Sequence, residues 1–276
     1  MTQFTVIGAS GFIGSKLVAA LTASGHIVYA PARDDPALFT HPLGRVFYCA
    51  GLTGDFITRP FDTVEAHVTL LAKLLQTATY DRLVYLSSTR LYDSLGADGG
   101  RETDTLSIDP ALPRNVYDLS KALGENLCLN QSTGRAVVAR LSNVFADDPA
   151  ASGFLSELLV RARTEREIEL PVSPNGARDY IDADDAVTAL LALEASDLTG
   201  IVNIARGEVV TNAQLAEVFA ASGRTLRLTG QGAVAGQPVC DVARMAGLGI
   251  VARDVRILLK DLLAATSLNI DQAIGE

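Results

Sequence analysis

Apolar residues recur along the chain in two rhythms that alternate from the first residues onward. Short runs of strand length occupy residues 3–7, 27–30, 45–49, 83–86, 136–141 and 201–204. Between them lie segments of helical period at 12–23, 63–79, 116–130, 154–166, 183–195 and 212–221, with a further helix starting at 241–246. In the first helix Phe12, Ile13, Leu17, Val18 and Leu21 share the apolar stripe, and Gly25 closes it. Thr211 is placed to cap the helix at 212–221, and residues 171–175 read as a loop. Strand and helix alternate, which predicts a parallel sheet covered on both faces. Right-handed crossovers then give an α/β doubly wound sheet of Rossmann-like type.

The character changes past Asp147-Asp148-Pro149. This predicts a dinucleotide-binding domain over residues 1–149, rejoined by about 177–206. A small C-terminal substrate lobe is expected from 150–176 and 207–276. There is no internal repeat and no low-complexity linker.

Composition narrows the function classes. The chain has 276 residues, 48% of them hydrophobic, and a formal net charge of −9 without any run of Lys or Arg. That balance argues against a nucleic-acid partner. The longest apolar run, 186–193, is interrupted by Thr188 and is too short to cross a bilayer, so no membrane partner is expected. The N-terminal MTQFTVIGAS enters a strand directly, without the basic region or cleavage site of a signal peptide. Cys49, Cys128 and Cys240 form no C-x-x-C pair; Cys49 and Cys128 lie in apolar contexts and read as small core residues, and the compartment expected is reducing and cytoplasmic. His26, His41 and His67 do not cluster, and no metal site is expected.

The first strand runs into G8-A-S-G11-F-I-G14 and then a helix. Gly8 permits the tight turn, Gly11 lets a pyrophosphate approach the backbone, and Gly14 lets the helix pack on the strand. Ser10, Phe12 and Ile13 in the loop, with Ala50 and Gly51 after the third strand, complete the candidate cofactor contacts. An NAD-selective site places an acidic residue at the end of the second strand, about 20 residues beyond the loop. Here Ala32 occupies that place and Arg33 follows, which suits the 2′-phosphate of NADP. The competing reading gives the ribose to Asp34 or Asp35, and hence NAD.

The stretch NVYDLSKALGE, 115–125, puts Tyr117 and Lys121 four apart on a helix, so both point from one face. A phenol near pKa 10 must shift by roughly 3 units, or about 4 kcal/mol, to exchange protons near neutrality. An ammonium about 4 Å away contributes on the order of 4 kcal/mol at an effective dielectric of about 20. The bare spacing is common by chance.

The spacing does not stand alone. GASGFIG, LVYLSSTRLY (83–92), YDLSK (117–121), ARLSNVF (139–145) and RDYIDADD (178–185) follow in that order. The series resembles the extended short-chain dehydrogenase/reductases, the NAD(P)-dependent epimerase/dehydratase family acting on nucleotide sugars. The resemblance implies Tyr117 as general acid/base, Lys121 on the cofactor ribose and lowering the tyrosine pKa, and Ser88 on the reacting oxygen. It implies Asn143 and Arg178 on a substrate diphosphate, and Thr89 as a further substrate contact. The competing readings of Asn143 and Arg178 are a turn asparagine and a surface arginine. Asp185 is expected to cap a helix. A homodimer is implied through the helices at 63–79 and 116–130, with Val68, Leu71, Leu75, Leu119, Leu123 and Leu127 on the paired faces; internal packing explains these residues equally well.

Departures from the pattern shape the expected activity. Thr89 and Arg90 stand where dehydratases carry an Asp-Glu pair, which disfavours dehydration. Only residues 34–44 separate Arg33 from the next strand, and Pro36 and Pro42 break them, so the usual intervening helix and strand are lost or vestigial. No arginine immediately precedes Pro238-Val239, where many relatives hold a second phosphate ligand. The expected activity is hydride transfer at a sugar carbonyl or carbinol, at C4 of a nucleotide sugar. The alternatives are an epimerase with tightly bound NAD and a non-catalytic NADP-binding regulator.

Overall fold

The first apolar run forms β1 (Gln3–Ile7), and the glycine turn after it opens α1 (Phe12–Ala23). The architecture comes from a computed structural model that describes residues 1–231 and 236–273. Residues 232–235 and 274–276, within the expected second lobe, lie outside the described residues. Gly25, at φ +76°, turns the chain out of α1, and the His26 N–H donates to Leu21 O at 3.1 Å. Then come β2 (Ile27–Tyr29) and β3 (Arg45–Tyr48), separated only by a 3₁₀ turn at Pro36–Phe39.

The helix expected over 63–79 starts earlier and is not uniform. Proline at its first position sets α2 (Pro60–Val64), and α3 (Leu70–Thr77) continues the same rod. A π turn, Glu65–Thr69, joins the two. The next elements are β4 (Arg82–Ser88), α4 (Val116–Gln131), β5 (Ala136–Leu141) and β6 (Asn143–Phe145). The helix predicted to Arg166 stops earlier, as α5 (Phe154–Ala162), because 167–170 alternate as β7 (Glu167–Leu170). After β8 (Ala177–Asp182) comes α6 (Ala183–Ala195), whose cap is Asp182, accepting from the Asp184 N–H at 3.0 Å. Asp185, the expected cap, instead accepts from the Arg253 backbone N–H and guanidinium, each at 2.8 Å. The chain ends with β9 (Gly200–Ile204), β10 (Val209–Thr211), α7 (Asn212–Ala221), β11 (Thr225–Leu228), α8 (Ala243–Ala246) and α9 (Val255–Ala273). Thr211 caps α7 in a full capping box with Gln214.

Six strands form one parallel sheet in the order β2-β1-β3-β4-β5-β9. One face packs against α1 and α6 through Leu17, Leu21, Ala186 and Leu190. The other packs against α3 and α4 through Leu71, Leu74 and Cys128. The sheet is therefore doubly wound, and its order reverses between β1 and β3. The crevice at the carboxyl ends of those strands is where such sheets take ligands.

A second core gathers Phe145, Leu159, Ile168, Tyr180, Phe219 and Leu259 around the sheets β10-β8-β6 and β11-β7. Leu71 belongs to the main core at 0% exposure, so it is not on an outer face. The exposed apolar residues of these helices are Leu119, Leu123 and Leu129 on α4 and Phe61 and Val64 on α2.

The outer edge of β9 is occupied by side chains. Arg244 donates to Thr199 O at 2.7 Å and also to Ile201 O. The Asn203 N–H donates to the Glu102 carboxylate at 3.1 Å. Among the described residues, no helix is long and apolar enough to cross a membrane.

Candidate active site

The glycine turn lies against the end of β3. Gly8 sits at φ +84°, and a Cβ there would fall 2.6 Å from Ala50 N. A Cβ on Gly14 would collide with Gly8 O. A Cβ on Gly51 would stand 2.8 Å from His67 Nε2 and 3.4 Å from Lys121 Nζ. The three glycines thus line one cradle that side chains would fill. Gly11 caps α1 without a side-chain hydrogen bond, leaving the first-turn amides for an anion. Ser10 and Gly11 are exposed, and Phe12 and Ile13 are half-buried, as a dinucleotide cradle requires. Arg33 is exposed in the turn after β2. Asp35 is engaged locally, accepting from the Ala37 N–H at 2.9 Å and the Tyr29 hydroxyl at 2.7 Å.

Tyr117 and Lys121 occupy adjacent turns of α4, both buried. The Lys121 ammonium donates to Leu86 O at 2.8 Å. Burial pushes it down to about 8, with Glu125 acting in the opposite direction. Burial also pushes the Tyr117 phenol up. A hydrogen bond with Ser88 and the charge of Arg90 pull it back down, while Asp118 raises it.

His67, which sequence spacing passed over, stands in the π turn with its ring 5.3 Å from that of Tyr117. Its Nε2 accepts from the Leu52 N–H at 3.2 Å. The ring proton must then lie on Nδ1, which donates to Ser120 Oγ at 2.8 Å. Ser120 in turn donates to Tyr117 O at 2.9 Å. Burial and Lys121 push the imidazole down to about 2, so it is neutral at any working pH. The histidine ties the loop after β3 to the tyrosine turn of α4. π turns recur at functional sites because the extra residue re-aims side chains.

A buried ion pair supports α4 from below. Arg140 donates to Glu125 at 2.8 and 2.6 Å, and the Ser87 hydroxyl donates to the same carboxylate at 2.6 Å. Arg140 also lies 4.8 Å from the Tyr92 ring centroid, and the Tyr92 hydroxyl donates to Asn203 Oδ1 at 2.9 Å.

Ser88 and Arg90, the neighbours of Tyr117, line a cavity of about 660 Å³ between the main sheet and the second core. Thr89, Asn143 and Arg178 line the same cavity, so all three expected substrate residues meet there. The Asn143 amide donates to Asp179 O at 2.9 Å, and the Arg178 guanidinium lies 5.6 Å from the Phe154 ring centroid. Asp93, Arg114, Asn212 and Gln237 also line it. Arg33 lies apart, at the β2 end of the cofactor crevice. Among the described residues, no cluster of His, Cys, Asp and Glu could hold a metal.

The model of the NAD dependent epimerase/dehydratase family matches residues 4–205. The dTDP-6-deoxy-L-talose 4-dehydrogenase (NAD(P)(+)) of Kitasatospora kifunensis is 31% identical over 255 residues, covering 79% of this chain and 78% of that protein. The dTDP-4-dehydro-6-deoxy-D-allose reductase of Streptomyces bikiniensis is 26% identical over 267 residues, covering 81% and 82%. Among solved structures, MoeE5 in complex with UDP-glucose and NAD superposes with a TM-score of 0.76 at 23% identity, covering 97% of this chain and 99% of that one. RMD from Pseudomonas aeruginosa complexed with NADPH gives 0.75 at 21% identity, covering 96% and 99%. At those identities the structural likeness establishes the fold.

Proposed function

Because the chain belongs to the NAD dependent epimerase/dehydratase family and is an NAD(P)-dependent oxidoreductase or epimerase, we propose that it reduces the C4 carbonyl of a dTDP-linked 4-keto-6-deoxyhexose. The observation that carries this reading is the hydrogen bond between Tyr117 and Ser88, since Ser88 lines the 660 Å³ cavity. The two curated relatives support the choice of carbon, since both names describe C4 redox chemistry on a dTDP-deoxysugar.

Gly8, Gly11, Gly14 and the open amides of α1 would hold the pyrophosphate, and Lys121 the ribose. Bound NADPH supplies the hydride that the carbonyl carbon accepts. The carbonyl oxygen takes its proton from the Tyr117 hydroxyl, leaving a phenolate, while the Ser88 hydroxyl donates a hydrogen bond to the same oxygen. That donor is aimed before the reaction starts and meets the charge that develops on oxygen. Asn143 and Arg178 would take the diphosphate, and the smaller lobe (150–176 and 207–276) the nucleotide. Arg33 favours NADP, a preference supported by the engagement of Asp35 with its own turn. The exposed Leu119, Leu123, Phe61 and Val64 support a homodimer through α4 and α2. The free cysteines suit a reducing, cytoplasmic compartment.

The test is NADPH oxidation at 340 nm with dTDP-4-keto-6-deoxyhexoses. Wild type should consume NADPH, and Tyr117→Phe should lose about 10²–10⁴-fold in turnover while still binding it. Sugar conversion without change at 340 nm would replace the reductase by an epimerase.

A further inference from the structure

We propose that Arg90, with Asp118 as its counter-ion, is the charge-tuning residue of Tyr117 and sets the pH range over which the phenol carries its proton. The proposal rests on the reading of Tyr117 as the acid/base group. Its foundation is geometric. The Arg90 guanidinium lies 4.6 Å from the Phe56 ring centroid and 5.1 Å from that of Tyr117, and the two rings stand 5.2 Å apart. A cation held against a phenol ring stabilises the phenolate more than the neutral phenol, because the ring gains negative charge on ionisation.

Asp118 limits that effect. Its Oδ1 stands 3.2 Å from Arg90 Nε, with side-chain exposures of 9% and 25%. The two side chains form an ion pair at that distance, and on the phenol the anion opposes the cation. Asp118 follows Tyr117 directly on α4, so one helix turn carries the acid and the anion that opposes its ionisation.

The other groups facing the phenol are accounted for. Ser88 hydrogen-bonds it from β4. His67 presents a neutral ring from the π turn. Lys121 donates one of its N–H groups to Leu86 O, and the charges acting on the phenol are those of Arg90 and Asp118. Arg114 and Asp93 pair with each other at 3.5 Å and act on Asp118, not on the phenol. Arg90 is thus the cation packed on the Tyr117 ring. It also lines the substrate cavity, so its charge and the reacting sugar share one wall.

The experiment is the pH profile of kcat for NADPH-dependent reduction in wild type, Arg90→Met, Arg90→Lys, Asp118→Asn and Tyr117→Phe. Reduction needs the protonated phenol, so the alkaline limb reports its ionisation. Arg90→Met should move that limb up by about one pH unit and Asp118→Asn down by a similar amount, shifts of the size one close charge produces. Arg90→Lys keeps the charge and should restore most of the wild-type limb. The position of the limb is the readout; a structural role would lower the plateau and leave the limb in place. Should Arg90→Met fail to fold, Asp118→Asn carries the test alone, because its downward shift has the opposite sign. Limbs for Arg90→Met and Asp118→Asn that coincide with wild type would overturn the inference. Full turnover in Tyr117→Phe would instead overturn the reading of Tyr117 itself.

Discussion

Acidification should draw stability from this protein through His67. The side chain is fully buried and neutral, pushed down to about 2 by burial and then by the neighbouring Lys121. In the unfolded chain a histidine takes up its proton near pH 6.5. The folded value lies below the unfolded one, so below about pH 6.5 the unfolded chain binds a proton that the folded chain refuses. Stability present above that pH is therefore lost as the pH falls toward 2. At pH 5 the gap is about 1.5 units, and at about 1.4 kcal/mol per unit the loss is about 2 kcal/mol. The figure depends little on the folded value as long as that lies well below 5. The perturbation is His67→Gln, which does not titrate and keeps an acceptor for the Leu52 amide. Urea denaturation of both proteins at pH 7.5 and pH 5.0 gives four unfolding free energies. Every other ionising group is shared, so its contribution cancels in the difference of differences. The variant should start less stable at pH 7.5, yet lose about 2 kcal/mol less than the parent on going to pH 5.0. Equal losses would refute the claim that the folded state holds this imidazole unprotonated.

Arg33→Ala should weaken NADPH binding about tenfold while leaving NADH nearly unchanged, as followed by the quenching or enhancement of nicotinamide fluorescence; a charge-assisted contact to the 2′-phosphate is worth about that ratio. Equal losses for both cofactors would remove the preference for NADP. If the proposed homodimer forms, Leu123→Glu should leave only monomer in sedimentation velocity without loss of helical circular dichroism, because it places a charge on the exposed α4 face.

The first half of the fold was readable because its inner strands are buried on both faces and announce themselves as apolar runs. The glycines of G8-A-S-G11-F-I-G14 mark the turn by what they lack, a Cβ. The short interval before β3 likewise leaves room only for a turn. In the second half the same logic loses its signal. β8 carries Arg178 and Asp179, whose charge serves the cavity and hides the strand. The alternation in Glu167–Leu170 was present but too short to separate from the helix before it. His67 could not be recognised by spacing, since its partners Leu52 and Ser120 come from other elements. The π turn that aims it is imposed by packing rather than by local preference. Arg140 did leave a trace: a charged residue within AVVARL requires a buried partner, and Glu125 supplies it.

The margins of the main sheet bear on how copies of this chain can associate. An unpaired strand edge is a template for adding another strand, and two such edges on one molecule would permit open-ended polymers. On the β9 side Arg244 and Glu102 already occupy the Thr199 and Ile201 carbonyls and the Asn203 N–H. On the far side β2 offers three residues, too few to hold a stranger in register. Lateral growth of the main sheet is therefore opposed by side chains at one margin and by shortness at the other.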